Sequence, residues 1–448
     1  MRWEKRARPS PCPSIAPASS VRSRIAKARI RRPARGATCA RCTPIGPTVP
    51  AARPRPPSPG LPRASKSTRC WRSRPRSSRP SAPCIRVKSM AAISTSASDP
   101  RALVDATLGP QTARLAALRC AVLGGGSSPE REVSLVSARG IAAALAQPTP
   151  RCPQALADVS VIELDAQDAW RVGERALQPT RALEALADID VFFLGLHGGS
   201  GEDGTLQGLL SSAGRAFTGS GVGASAVCMD KWLSRAAAAS IGVRVAAGVR
   251  IGARDQDLAA AAALAASSGC VVKPRRGGSS VATSVLRRPA PGELREAVLQ
   301  ALACRDEALV EELVPGVEIT VPVLRSAHGA VALMPVEIRP ADGHFFDYQQ
   351  KYAADGAREL CPPEWISPEE VTAAQRAALQ LHELFGCGSY SRTDFIVARA
   401  GPHSGQPVFL EVNTLPGFTP RSLLPQSARW HGIEYRELCL FLLLEALA

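Results

Sequence analysis

From residue 119 onward, short apolar runs alternate with longer mixed stretches. The segment RCAVLGGGSSPEREVSLVSARGIAAALA reads as a strand, a Gly-rich turn and a helix. Val161–Leu164 and Val191–Leu196 are further short apolar runs, separated by helical stretches such as 178–187. Strands alternating with helices predict a parallel sheet covered on both faces. The Gly-rich loop His197–Thr205 precedes a helix beginning near Leu206. Such loops lie at the carboxyl ends of strands, where ligands bind in this class. Thr218–Ala224 grazes a dinucleotide fingerprint, but the acid expected about 20 residues on is missing. Asp230 then reads as an N-cap, with Lys231 opening a helix near that loop.

Residues 245–325 read as a smaller α/β unit. Cys270–Pro274 is a strand ending at Lys273, Arg275–Ser280 a hydroxyl- and amide-rich hairpin, and Val281–Leu286 the returning strand. Such a loop can close over phosphates. It is not a Walker A loop, because the lysine precedes the glycines. Leu309–Glu318 reads as strand, turn, strand, and its Glu311 and Glu318 suit either an adenine amine and ribose hydroxyls or plain solvent. After a strand at Val331–Ile338, the aromatic-rich loop 346–356 can serve as a lid. A helix is expected over 368–385, followed by two strands.

Those two strands carry the densest chemistry. In VFLEVNTLPGFTPRSLL, Glu411 and Asn413 are two apart and leave a strand by the same face. A carboxylate beside an amide oxygen suits a hard cation such as Mg²⁺. In SYSRTDFIV, Arg392 and Asp394 share a face in the same way. Either pair alone also describes a surface salt bridge. Four such residues on two strands, closed by Pro416-Gly417, favour a site.

Charge is uneven. Residues 1–90 hold 23 of the 55 Lys and Arg and a single acid, Glu4; the rest carries 32 basic and 38 acidic residues. The net +16 therefore belongs to the N-terminal segment, and no nucleic-acid footprint is expected elsewhere. Residues 1–112 are Arg-, Pro- and Ser-rich without periodicity, and disorder is expected. This segment reads as a transit peptide, as a basic arm, or as sequence upstream of a true start at Met90; the last is preferred. The 13 cysteines include one isolated CxxC, at Cys39 and Cys42, too little for a zinc site. Cys228, Cys270 and Cys439 fall in apolar contexts and read as buried free thiols of a cytoplasmic protein. No apolar run reaches the ~18 residues of a membrane span. LCLFLLLEALA reads as a packed terminal helix.

Together the motifs resemble the D-alanine–D-alanine ligase family of ATP-grasp enzymes. The matching stretches run in the family's order from about residue 118 to 445: GGGSSPEREVSL, LHGGSGEDGTLQG, TGSGVGASAVCMDK, VVKPRRGGSSV, EELVPGVE, DYQQKY, SRTDF and EVNTLPGFTPRSLLP. The resemblance implies an α/β chain of three domains behind the basic extension 1–112. These are a Rossmann-like parallel-sheet domain at 113–225, a central ATP-grasp unit at 226–325 and a catalytic unit at 326–448. It implies ATP, two Mg²⁺ or Mn²⁺ ions, D-alanine as substrate, a homodimer, and a place in peptidoglycan synthesis.

By resemblance, Lys231 and Lys273 contact phosphates, and Lys351 is a lid lysine. Glu311 and Glu318 face adenine and ribose, with Glu312 and Val314 lining the adenine slot. Asp394, Glu411 and Asn413 are metal ligands. Arg392 and the Gly417 amide stabilise an oxyanion. Glu130 holds the first substrate's ammonium, with Ser279 and Tyr352 as its partners. Ser422 and Leu423 take the second substrate's carboxylate. Gly277 and Arg421 depart from the commonest pattern, where an acid and a His are frequent. Tyr352 argues for D-alanine over D-lactate as the second substrate.

Overall fold

The computed structural model describes residues 99–109, 112–148, 156–252, 254, 258–304, 307–340 and 357–448. Among the described residues the first elements are α1 (Pro100–Leu108), whose N-cap Asp99 accepts from the Arg101 amide, and a short α2 (Thr112–Leu115). Residues 100–108, within the stretch expected to be disordered, are helical. Leu103, Val104 and Leu108 bury one face of α1, and a short apolar stripe beside many Ala and Pro gave little periodicity to read.

β1 (Arg119–Gly125) leads through a Gly-rich turn into α3 (Arg131–Leu145). Next come β2 (Asp158–Leu164), the hairpin β3 (Trp170–Val172) and β4 (Arg175–Leu177), α4 (Pro179–Ala185), β5 (Val191–Leu194), α5 (Thr205–Ser212) and β6 (Ala216–Phe217). They form one sheet in the order β4-β3-β2-β1-β5-β6, parallel except for the edge hairpin. Residues 120–123 of β1 are wholly buried, as a strand covered on both faces must be.

α6 (Val222–Met229) and α7 (Lys231–Ser240) follow, with Asp230 capping α7 by accepting from the Leu233 amide at 3.1 Å. Then come β7 (Arg244–Val245), β8 (Gly248–Gly252), α8 (Ala259–Ser268), β9 (Cys270–Pro274), β10 (Ser284–Leu286), α9 (Pro291–Cys304) and β11 (Glu307–Glu312). An antiparallel sheet, β10-β9-β11-β8, is backed by α8 and α9. The strand expected from Val281 starts only at Ser284, because Ser279, Ser280 and Ala282 adopt positive φ and cannot continue a ladder.

The last sheet contains β12 (Gly316–Ser326), β13 (Gly329–Ala332), β14 (Val336–Arg339), β15 (Arg358–Leu360), β16 (Tyr390–Ala398) and β17 (Pro407–Asn413). Its order is β15-β14-β12-β16-β17-β7, with β13 also on β12. The strand read at Val331–Ile338 is thus two strands, interrupted around Pro335, which has no amide to give a ladder. The expected division after residue 325 also shifts. β12 pairs with β16 along nine residues and buries Ile319, Val321 and Val323 in this sheet's core. Cys228 and Ala238 of α6 and α7 join the same core, so residues 226–245 side with the last sheet.

α10 (Pro368–Leu384) covers this core. Ser367 and Glu370 cap it reciprocally: the Ser367 amide donates to Glu370 at 2.8 Å and the Glu370 amide to Ser367 at 3.3 Å. Ser367→Ala should lower stability by about 1 kcal/mol. A urea midpoint that does not move would rule this cap out as a stabiliser. α11 (Leu423–Trp430) and α12 (Tyr435–Glu445) end the chain. Residues 438–444 of α12 are buried against α1, α3 and the first sheet, as its apolar run predicts. Cys228, Cys270 and Cys439 are buried free thiols. Among the described residues no helix is long and apolar enough to cross a membrane.

Candidate active site

Antiparallel pairing of β16 with β17 sets Asp394 opposite Glu411 and Arg392 opposite Asn413. The sequence expectation of four polar side chains meeting on two neighbouring strands is met geometrically. Arg392 grips both oxygens of Asp394, at 3.0 Å from Nε and 3.0 Å from Nη2. Asn413 Nδ2 donates to Asp394 Oδ2 at 3.0 Å, which turns the amide oxygen the other way. Thr320, facing Asp394 from β12, donates to Oδ1. A register shift after Asp394 makes a bulge at Leu410 and re-aims the end of β17. Burial works against the Arg392 charge, but Asp394, Glu411 and Glu202 more than offset it and raise its pKa.

Glu411 reaches across to Lys231 Nζ at 2.8 Å. The same ammonium donates to the Gly277 carbonyl at 2.6 Å, so Lys231 ties the loop after β9 to β17. Burial disfavours the ammonium, and Glu411 overcomes that and raises its pKa. Lys273 at the end of β9 pairs with Glu311 Oε2 at 2.7 Å. A cavity of about 550 Å³ opens between the four-stranded sheet and the last sheet. Lys231, Lys273, Glu311, Glu312, Val314, Glu318, Asp394 and Glu411 all line it. Glu312 also accepts from the Ala247 amide at 2.9 Å, which fixes the rim beside Val314.

The other end of the cavity is closed by the turn after β1. Glu130 stands at the N-cap of α3, and Ser279 donates to its Oε1 across the cleft. Ser279 and Ser280 hold φ of 51° and 56°, strain of about 1–3 kcal/mol each that such loops store at functional sites. Gly198 has φ +68°, and a Cβ there would come within 2.6 Å of Glu130 Oε2, so only glycine fits beside that carboxylate.

Beyond Asn413 the chain turns sharply. Phe418 is buried and locks the turn against Phe193, Tyr390 and Tyr435, with ring centroids 5.7–6.0 Å apart. The preceding Gly417 is thereby fixed against Ser422, whose Oγ would lie 3.2 Å from a Cβ at position 417. Ser422 is the N-cap of α11 and Leu423 its first residue, placing the electropositive end of a helix beside Gly417. Lys351 and Tyr352 lie outside the described residues.

Sequence reasoning missed His197, Glu202 and Arg235. His197 Nε2 accepts from Ser137 at 2.9 Å and Nδ1–H donates to the Leu415 carbonyl at 3.3 Å. Burial lowers its pKa to about 4, so the ring is neutral. Glu202 is half-buried, with Glu130 and Glu411 close enough to act on it; desolvation, then Glu130, push its pKa up from 4.5 to about 8. The only signal for either was their place in a Gly-rich loop after a strand. Between about pH 4.5 and about 8 the folded chain keeps a proton that the unfolded chain releases, so stability falls as pH rises through that window. Glu202→Gln should flatten this fall in melting temperature; identical slopes for the two proteins would contradict it.

Two carboxylates and an amide oxygen are hard donors of the kind Mg²⁺ takes. Among the described residues there is no group of three or more His, Cys, Asp and Glu that could hold a metal ion. Asp394, Glu411 and Asn413 fit only an ion that takes most of its ligands from phosphate oxygens and water.

Sequence models described as the N-terminus and C-terminus of D-ala D-ala ligase match residues 119–220 and 247–444. A D-alanine–D-alanine ligase of Gluconobacter oxydans is 40% identical over 334 residues, 74% of this chain and 100% of that protein. One from Halalkalibacterium halodurans is 37% identical, over 72% of this chain and 96% of the other. Among solved structures, the VanG D-Ala:D-Ser ligase of Enterococcus faecalis superposes with a TM-score of 0.61 at 27% identity, covering 74% of this chain and 99% of its own. The D-alanine–D-alanine ligase of Bacillus anthracis complexed with ATP gives 0.58 at 27% identity, covering 74% and 98%.

Proposed function

We propose that this chain, which belongs to the D-alanine–D-alanine ligase family, joins two D-alanines at the cost of ATP by way of an acyl phosphate. The observation that carries the reading is the quartet Arg392, Asp394, Glu411 and Asn413, gathered on two strand ends beside Lys231. A carboxylate is a poor acyl donor. Its oxygen therefore attacks the γ-phosphorus first, and ADP leaves. Positioning and charge neutralisation do most of the work in such a transfer. Lys231 and Lys273 supply two cations on the cavity wall. Asp394, Glu411 and Asn413 would hold two Mg²⁺ or Mn²⁺ ions, which supply further neutralisation of phosphate charge.

Glu130 and its partner Ser279 hold the ammonium of the first D-alanine. The amine of the second attacks the acyl carbon, and phosphate departs from a tetrahedral intermediate. The Arg392 guanidinium and the Gly417 amide receive the oxyanion. Ser422 and Leu423, at the start of α11, take the second carboxylate. Tyr352 and Lys351 belong to a lid that keeps water from the acyl phosphate. The product serves peptidoglycan synthesis in the cytoplasm, and the enzyme works as a homodimer; a one-chain mass by light scattering would reject the dimer.

Purified chain given ATP, Mg²⁺ and D-alanine should release phosphate and form the dipeptide, read by mass spectrometry. D-serine or D-lactate winning over D-alanine as second substrate would move the assignment within the family. Silence with all three would refute ligase activity.

A further inference from the structure

Arg235 lies one helical turn beyond Lys231 on α7, yet it does not line the cavity. Its guanidinium is buried, with a side-chain exposure of 7%. Nη1 forms an ion pair with Glu311 Oε1 at 2.9 Å, Nη2 donates to the Ala246 carbonyl, and both Nε and Glu311 Oε1 are buried without a hydrogen bond, so the two groups are held by charge. A Cβ at Gly248 would come 3.0 and 3.1 Å from the guanidinium nitrogens, so the glycine makes room for it. The other Glu311 oxygen, Oε2, pairs with Lys273 at 2.7 Å, and both residues line the cavity. Burying a guanidinium costs several kcal/mol unless its partners are well placed. This one is ion-paired to Glu311 Oε1 and hydrogen-bonded to the backbone just before β8.

We infer that Arg235 is a positioning residue that fixes the Glu311 carboxylate and thereby sets the base preference of the nucleotide slot. The inference rests on the ATP reading above. When phosphates draw the Lys273 ammonium toward them, Oε2 is left facing the base. A carboxylate only accepts hydrogen bonds. A purine with a 6-amino group satisfies it, whereas a 6-oxo purine sets oxygen against oxygen. Without Arg235 the carboxylate swings, and the slot loses that distinction. Lys231 and Arg235 thus put the phosphate and base contacts of one nucleotide on one helix face.

The test compares ATP with inosine triphosphate on wild type, Arg235→Met, Arg235→Lys and Glu311→Gln. Turnover gives KM and kcat, and calorimetric nucleotide binding gives the same comparison whichever amino acid is ligated. Arg235→Met should raise the KM for ATP about tenfold and cut the ATP preference about tenfold, the scale of a buried ion pair that orients one carboxylate. Its kcat should stay within about twofold, and Arg235→Lys should recover part of the preference. If Arg235→Met does not fold, a preference reduced in folded Arg235→Lys supports the inference. Wild-type preference in the folded Arg235 variants overturns it. If Glu311→Gln alone collapses the preference, only the part given to Arg235 falls. If Glu311→Gln also leaves it intact, the base slot itself is misassigned.

Discussion

Arg392→Ala should lower kcat for dipeptide formation by roughly 10²–10³-fold while ATP affinity stays near wild type. The guanidinium is held along its Nε–Nη2 edge by both oxygens of Asp394, on a strand flanked by β12 and β17. It is therefore pre-oriented before any substrate arrives, and little reorganisation accompanies the charge that develops in the transition state. Arg392 does not border the 550 Å³ cavity, whose walls carry Lys231, Lys273 and Glu318. Losing it should spare nucleotide binding for that reason. Arg392→Lys should rescue only partly, because an ammonium cannot hold both Asp394 oxygens and a substrate oxygen in one plane. Calorimetry with ATP beside steady-state dipeptide assays separates the two effects. A variant that forms dipeptide at the wild-type rate would remove Arg392 from the chemistry.

The second large effect is expected at Glu411. Glu411→Ala should raise the Mg²⁺ concentration for half-maximal activity by more than about 100-fold, since losing even an outer-sphere partner of a metal costs 10–100-fold. The change also strips Lys231 of its ion partner at 2.8 Å, inside a site where that lysine is buried. Lys231 would still donate to the Gly277 carbonyl, so the loop stays tethered and the variant should fold. Glu411→Gln keeps an oxygen ligand and should fall between the two. Metal titrations of activity at saturating ATP read this directly. An unchanged Mg²⁺ requirement would refute the ligand assignment.

Much of this site was legible along the chain. Glu411 and Asn413, like Arg392 and Asp394, are two residues apart, and a strand's period of two puts each pair on one face whatever the partner strand. The Asp230 cap, the strand that carries Lys273 and the buried terminal helix are equally local properties. Less legible was which sheet each strand joins. β12 has the apolar run of any interior strand, and nothing in it says that it pairs with β16, some 70 residues later, and not with β11 beside it. The approach of Ser279 to Glu130 is likewise invisible in sequence, as is the buried grip of Arg235 on Glu311.

Sequence alone determined the periodicities, the turns and the chemical kinds of side chain at each strand end, because these depend on neighbours within a few bonds. The tertiary structure decided which ends meet. Faces that are apolar in isolation have many possible partners, and only their mutual burial selects one. That selection set Asp394 against Glu411, carried Lys231 across to them, and placed Glu202 beside Glu130, where its proton is held to about pH 8.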